Sequence, residues 1–373
     1  MRVIGLMSGT SLDGIDAALI DIDGDASAAD WHLVAFREQP YSASRRAAIH
    51  DAITHGSAEE LCRLHADLGE WFADAARGVA DMAGVDLATV DVIGSHGQTV
   101  WHIPPAGGRR GATLQLGCPA TIAELTGVSV VSDFRARDVA AGGHGAPLVP
   151  WADRLLFSSD AHPRVLLNLG GMANLSWVPR RGADEDVVAF DTGPGNALID
   201  AAVELATDGR LSYDEDGRMA AAGEVDERIV TELLAHPFFA AAPPRSTGRE
   251  IFGRDYVAAL AGRASDPASL VAALTELTAR SISDAFNRWI RPRAVGEVIV
   301  TGGGVRNRTL MRRLGELLAP VPVRSGDDAG VPRDAKEAIV FAALAWAHIR
   351  GITGNVPSAT GARGPRVLGS HTP

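Results

Sequence analysis

Residues 3–22, VIGLMSGTSLDGIDAALIDI, place an apolar run, a polar glycine-containing turn and a second apolar run in succession, which predicts strand, turn and strand. The same pattern returns at residues 165–177, VLLNLGGMANLSW, with Gly170-Gly171 at the turn. In the first half, strands are expected at about 2–8, 15–22 and 31–37. An alanine-rich helical stretch follows through roughly 43–84, with Leu61, Leu64, Leu68 and Trp71 at helical spacing. Val90 to Ile93 read as a short buried strand that places Ser95 to Thr99 at its carboxyl end. Segments around 113–117, 122–125 and 128–134 continue the alternation. The glycine- and proline-rich stretch from Arg137 to Asp153 reads as a crossing between two domains. In the second half, VVAF ending at Phe190 predicts a strand, a loop and a helix, and EVIVTGGGVRNRTLMRRL does the same. Residues 208–250 read as irregular. Helices are expected at about 266–290 and from Ala335 to Ile349, followed by a mobile tail.

A length of 373 residues exceeds one ordinary core and makes two domains the default. Hydrophobic residues at 46% and charged residues at 22% describe a globular chain. The net charge of −11 offers no basic surface for nucleic acid. Cys62 and Cys118 are too few for a disulfide framework or a structural zinc site. No apolar run approaches a membrane span and the start lacks a signal peptide, so a cytoplasmic protein is expected. Lys336 is the only lysine among 35 basic residues. It follows Ala335, which excludes a P-loop, and no lysine stands on an early strand as a protein kinase requires. Phosphate must therefore be met by backbone amides, hydroxyls, arginine or a metal ion.

The first turn offers that chemistry. Ser8, Gly9, Thr10 and Ser11 present amides and hydroxyls, and Gly9 and Gly14 permit close approach of an anion. Asp13 and Asp16 stand where they could hold a divalent cation through water. Either hairpin alone reads equally well as an ordinary glycine turn; their recurrence suggests a duplicated fold that grips a nucleotide with both halves. Asp191, at the end of an apolar strand before Thr192-Gly193-Pro194-Gly195-Asn196, is the first candidate for a general base. A helix cap is the plainer alternative, but Gly193 and Gly195 would make room for a ligand and a cap needs neither. His96, Gln98 and Thr99 form a polar cluster suited to sugar hydroxyls. Gly302-Gly303-Gly304 with Asn307 ends a strand where backbone can lie against an adenosine. Glu337 reads by periodicity as a surface or capping acid.

GLMSGTSLDGID, GSHGQT, DFRARDVAAGGHGAPLVP, LNLGGMANL, FDTGPGN, STGRE, TGGGVRN and the DAKEAIVFAALA helix occur in this order from Arg2 to about Ile349. Together they resemble the anhydro-N-acetylmuramic acid kinase family, within the acetate kinase, sugar kinase, Hsp70 and actin superfamily. The resemblance implies an α/β protein of two ribonuclease-H-like (actin-like ATPase) domains with an interdomain cleft, 1–135 plus about 338–373 and about 136–337. It implies an enzyme of cell-wall recycling that uses ATP and Mg²⁺ to open the 1,6-anhydro ring with water and phosphorylate O6. On this resemblance ATP is met by residues 9–16 (Gly9, Thr10, Ser11, Leu12, Asp13, Gly14, Ile15, Asp16), by Gly170 and Gly171, and by Gly303, Gly304 and Asn307. Asp191 is the catalytic aspartate. His96, Gln98, Thr99, Arg135, Arg137, Gly193 and Glu337 face the sugar, with Arg135 or Arg137 on its lactyl carboxylate. A homodimer is the assembly the family suggests. His144 departs from a usual glutamine and Gly253 from a usual asparagine, which bears on the sugar contacts. Another sugar or acetate kinase, or an actin-like or Hsp70-like switch, is the competing reading.

Overall fold

Strand β1 (Arg2–Ser8) runs antiparallel to β2 (Gly14–Asp23), and β2 antiparallel to β3 (Asp30–Pro40). β4 (Val92–Ile103) then lies parallel to β1 on its other side, with β5 (Ala112–Leu116) antiparallel to the far end of β4 and β6 (Val130–Ser132) parallel to β4. The computed structural model describes residues 1–373 apart from 10, 26–28, 184, 186, 244, 249, 250 and 333. The chain divides into two units, Met1–Leu156 with Asp334–Pro373, and Phe157–Arg333.

Alternation along β1 sorts the first unit's core. Ile4 and Leu6 join a cluster with Leu64, Leu68, Phe72 and Val79 of the helix Ala58–Ala83. Gly5 faces the other way, paired with Gly94 of β4. A Cβ on Gly5 would overlap the Ala338 carbonyl oxygen, and one on Gly94 the Phe341 carbonyl oxygen. These two glycines therefore let the alanine-rich helix Lys336–Ile349 lie directly on the sheet. The expected helical stretch 43–84 is two helices, Ala43–His55 and Ala58–Ala83. It is broken because Ser57 and Glu60 form a capping box that starts the second.

In the second unit β7 (Arg164–Leu169), β8 (Met172–Val178) and β9 (Val188–Pro194) form an antiparallel meander, with β10 (Glu297–Thr301) parallel to β7 and β11 (Val323–Ser325) parallel to β10. Its strand order β9-β8-β7-β10-β11 repeats the order β3-β2-β1-β4-β6 of the first unit. Three antiparallel strands followed by two parallel ones is the ribonuclease-H-like arrangement, and the chain contains it twice.

The structure amends several sequence expectations. Residues 136–156 belong with the first unit, because buried Asp138 accepts hydrogen bonds from Asn355 Nδ2 (2.7 Å), Thr360 Oγ1 (2.7 Å) and the Gly145 N–H (2.8 Å). The same bonds order the expected mobile tail, whose last segment Ser370–Thr372 pairs with β6. β4 does not stop at Ile93 but runs to Ile103, so Ser95 to Thr99 lie inside a strand. Its second half is stabilised by β5. The stretch 208–250 contains short helices, among them Glu227–Leu234, capped by Asp226, and Pro237–Ala240.

Candidate active site

The turn between β1 and β2 is held from beneath. Ser8 is buried, and its hydroxyl lies 2.6 Å from Gln98 Oε1, 3.0 Å from the Gly14 carbonyl and 2.9 Å from the Tyr41 hydroxyl. Burial pushes Tyr41 up to about 12, so its hydroxyl stays a donor. Gln98, fully buried, donates through Nε2 to the carbonyls of Gly9 (3.3 Å) and Thr99 (3.2 Å). Gln98 thus supports the turn, and its amide is engaged by Ser8 and the Gly9 and Thr99 carbonyls. Gly9 is open on its Cα side: a Cβ would touch only Ser11, at 3.4 Å from Oγ. Gly14 is glycine for another reason, because a Cβ would meet the Gln39 carbonyl oxygen of β3 at 2.5 Å. Leu12 (φ +56°) and Ile15 are buried in the core, which leaves only their backbone to a ligand. Thr10 lies outside the described residues.

Asp13 Oδ1 accepts from Ser11 Oγ (2.9 Å) and the Gly14 N–H (3.0 Å). Asp16 lies directly opposite Glu38 across β2 and β3. Burial first, then Glu38, Asp13, Glu337 and Asp334, push its carboxyl up to about 7. Its side chain has no hydrogen-bond partner among the described residues. A surplus of carboxylate charge with oxygen ligands to spare fits a hard divalent cation bound through water. No group of three or more His, Cys, Asp or Glu among the described residues forms a metal cage by itself.

His96 is buried against Phe341, and its Nε2 accepts a 3.0 Å hydrogen bond from Arg135 Nε. Its Nδ1 therefore carries the proton and donates to the Gly97 carbonyl at 2.8 Å. Burial, with Arg135 adding to it, drives the imidazole down to about 3, so it is neutral. His96 thus orients Arg135, and both of its ring nitrogens are engaged by the protein. Arg135 also donates Nη1 to the Gly145 carbonyl (2.8 Å), while Arg137 is exposed. Thr99 is half-buried, with its hydroxyl accepting from Gln115 Nε2 (3.3 Å). Glu337 is solvent-accessible at the start of its helix. Surrounding protein raises its carboxyl, against the pull of Lys336 and Arg135.

In the second unit Asp191 lies within β9, because that strand extends to Pro194. Its N–H donates to the Arg245 carbonyl (3.1 Å), and its Oδ2 accepts from the Thr247 N–H (2.9 Å). Burial raises the carboxyl above its ordinary value, with the Thr247 amide and Arg245 opposing. Neither Arg245 nor Thr247 was singled out by sequence reading, although both sit in or beside the STGRE motif. Tyr41 carried no local signal at all.

The glycines that seemed to make room for a ligand here have other work. Gly193 (φ +142°) admits the Phe239 ring, 2.6 Å from where a Cβ would be. The Gly171 carbonyl accepts the N–H groups of Gly195 (2.8 Å) and Ala197 (3.0 Å), and the Gly170 carbonyl that of Asn196 (2.8 Å). The second hairpin turn therefore closes on the start of the helix Ala197–Ala206. Gly302 and Gly304 pack against Asn168 and Leu169, whereas Gly303 has nothing within 4 Å of a Cβ. Asn307 is buried and caps the helix Arg308–Leu318 through Leu310 N–H (3.0 Å), so its side-chain oxygen is already used.

A family model described as anhydro-N-acetylmuramic acid kinase matches residues 1–373. The chain belongs to the anhydro-N-acetylmuramic acid kinase family. Curated relatives carrying that name include one from Salinibacter ruber, 47% identical over 99% of this chain and 95% of its own length. Another, from Caldanaerobacter subterraneus subsp. tengcongensis, is 44% identical over 98% and 96%. Among solved structures, component A of (R)-2-hydroxyglutaryl-CoA dehydratase from Acidaminococcus fermentans is 12% identical over 92% of this chain and 96% of that one, with a TM-score of 0.44. At that distance the fold assignment rests on strand order. Of the two departures from the family's motifs, His144 is exposed on the loop that Asp138 anchors, and Gly253 starts the helix Arg254–Ala258. Among the described residues no helix is long and apolar enough to cross a membrane.

Proposed function

We propose that the protein uses ATP to convert 1,6-anhydro-N-acetylmuramic acid into N-acetylmuramic acid 6-phosphate, opening the anhydro ring with water and phosphorylating the freed O6. The observation that carries this reading, within a kinase family, is Asp191. One of its oxygens is fixed by an amide and the other has no partner among the described residues, while burial raises its proton affinity. Asp191 takes the proton of the water that attacks the anomeric carbon. The bond from that carbon to O6 breaks, its electron pair stays on O6, and O6 forms the new bond to the γ-phosphorus. ADP leaves.

The turn at Gly9 to Asp16 meets the phosphates through backbone amides, with Gly9 as the open position. Asp13 and Asp16 would hold Mg²⁺ through water, which when bound neutralises phosphate charge. Gly303 offers bare backbone to the adenosine, and Gly304 and Asn307 shape that turn. Arg135, oriented by His96, is the cation for the lactyl carboxylate, with exposed Arg137 as the alternative; Thr99 and Glu337 complete the polar lining. Family membership supports a cytoplasmic homodimer as the working form.

Mass spectrometry of the product formed in oxygen-18 water tests the reaction. Label is expected at the anomeric hydroxyl and not in the phosphate. Asp191→Asn should bind both substrates and lose about 10²–10⁴-fold in turnover. Label in free phosphate with the anhydro ring intact would make the protein an ATPase and overturn the coupled mechanism.

A further inference from the structure

Arg245 is a cation that makes its hydrogen bonds to carbonyl groups. Its Nε donates to the Asp191 carbonyl (2.8 Å), and its Nη1 reaches those of Phe238 (3.1 Å), Phe239 (3.1 Å) and Ala241 (2.8 Å). The guanidinium lies over the Phe238 ring at 4.9 Å and the Phe190 ring at 5.6 Å. Among the described residues it has no carboxylate within ion-pair distance. The bonds run both ways, since the Asp191 N–H donates to the Arg245 carbonyl. Two residues further on, the Thr247 N–H holds Asp191 Oδ2. The segment 245–247 is thus tied to Asp191 at three points: the backbone bond to the Arg245 carbonyl, the side-chain bond from Arg245 Nε, and the Thr247 N–H on the carboxylate.

We infer that Arg245 is a positioning residue for Asp191: by clamping residues 245–247 to β9 it places the Thr247 amide on one carboxylate oxygen and leaves the other aimed at the nucleophile. The inference rests on the reading of Asp191 as the base. Its physical reason is that a lone amide on a loop holds a carboxylate only as well as the loop is held. A planar fork bonded to four carbonyls fixes the loop at many points. Arg245 also places a positive charge behind the carboxylate. It is the charged side chain acting on Asp191 among the described residues, and Arg288, bonded to the Phe239 carbonyl at 3.4 Å, lies behind it in turn.

The test compares Arg245→Lys, which keeps the charge and loses the fork, with Arg245→Gln, which loses both. Both should lower kcat by about 10- to 100-fold, as supporting groups do, with KM for ATP within about twofold of wild type. The acid limb of the kcat profile should move to higher pH in Arg245→Gln, because a carboxylate without its cation is protonated more readily, and stay near wild type in Arg245→Lys. Hydrogen exchange at the Thr247 amide should quicken in both. If Arg245→Gln does not fold, Arg245→Lys at unchanged melting temperature carries the test through kcat and exchange. Wild-type kcat in Arg245→Lys, a raised KM for ATP with unchanged kcat, or an unmoved acid limb in folded Arg245→Gln overturns the inference. An Asp191→Asn protein that still turns over, with its Thr247 amide exchange as in wild type, instead overturns the reading of Asp191 as base.

Discussion

Replacing Asp16 by Asn should stabilise the metal-free protein at alkaline pH, although it removes a group assigned to the site. In the folded chain the Asp16 carboxyl moves from an ordinary 3.8 to about 7. The unfolded chain releases its proton near 4 and the folded chain holds it until about 7, so wild-type stability falls as pH rises through that window. At about 1.4 kcal/mol per unit, a gap of roughly three units sets a ceiling of about 4 kcal/mol. Water reaching the half-buried carboxylate and relaxation of its neighbours reduce this to about 2 kcal/mol. Asn has the same shape and no charge, so it removes the repulsion from Glu38 across the strand pair. For a unit of this size the gain is about 4–8 °C in melting temperature at pH 8, shrinking to nothing near pH 4. Scanning calorimetry in chelator at pH 4.5, 6 and 8 measures it, read on the transition of the unit that contains Asp16. Added Mg²⁺ should raise the wild-type transition more than that of the variant. A pH-independent difference, or a variant less stable at pH 8, would refute the placement of Asp16 among uncompensated carboxylates.

Gly9→Val should weaken ATP binding at least tenfold in a folded protein, because the position is open in the free turn; calorimetric affinity equal to wild type would remove the turn from the nucleotide site. Gly5→Ala should cost about 3 kcal/mol or more, since its Cβ overlaps the Ala338 carbonyl oxygen and the helix Lys336–Ile349 must lift off the sheet. A melting temperature within 2 °C of wild type, by order of magnitude, would contradict that packing. Asp138→Ala strips partners from Asn355, Thr360 and the Gly145 amide. It should cost about 3 kcal/mol and open residues 355–366 to limited proteolysis, whereas a resistant tail would show another anchor.

Much of the fold follows from local pattern. Glycine turns between apolar runs and the strand, glycine turn and helix around Gly302 are interactions within a few residues, and they were legible where they stood. The capping box of Ser57 and Glu60, equally local, was missed in the expected helical stretch 43–84. The eight ordered motifs carried the family, and Asp191 stood out as a carboxylate at a strand beside glycines. What each polar group does was not legible, because its partner is distant in the chain. Gln98 and His96 look alike as strand-end polar residues. Tertiary structure spends one on the Ser8 and Gly9 turn some ninety residues away and the other on Arg135. Gly193 and Gly14 look like ligand clearances until the Phe239 ring and the Gln39 carbonyl occupy the space. The charge environment of Asp16 gathers Glu38 from the neighbouring strand and Asp334 and Glu337 from some three hundred residues further on, and the hold on Asp191 comes from residues 245–247. Sequence by itself therefore determined the hairpins and most strand and helix positions, the duplication and the family. Only the tertiary structure decided which polar side chains are already satisfied by the protein and which remain for a ligand, since hydrogen bonding and Coulomb interaction act across space and not along the chain.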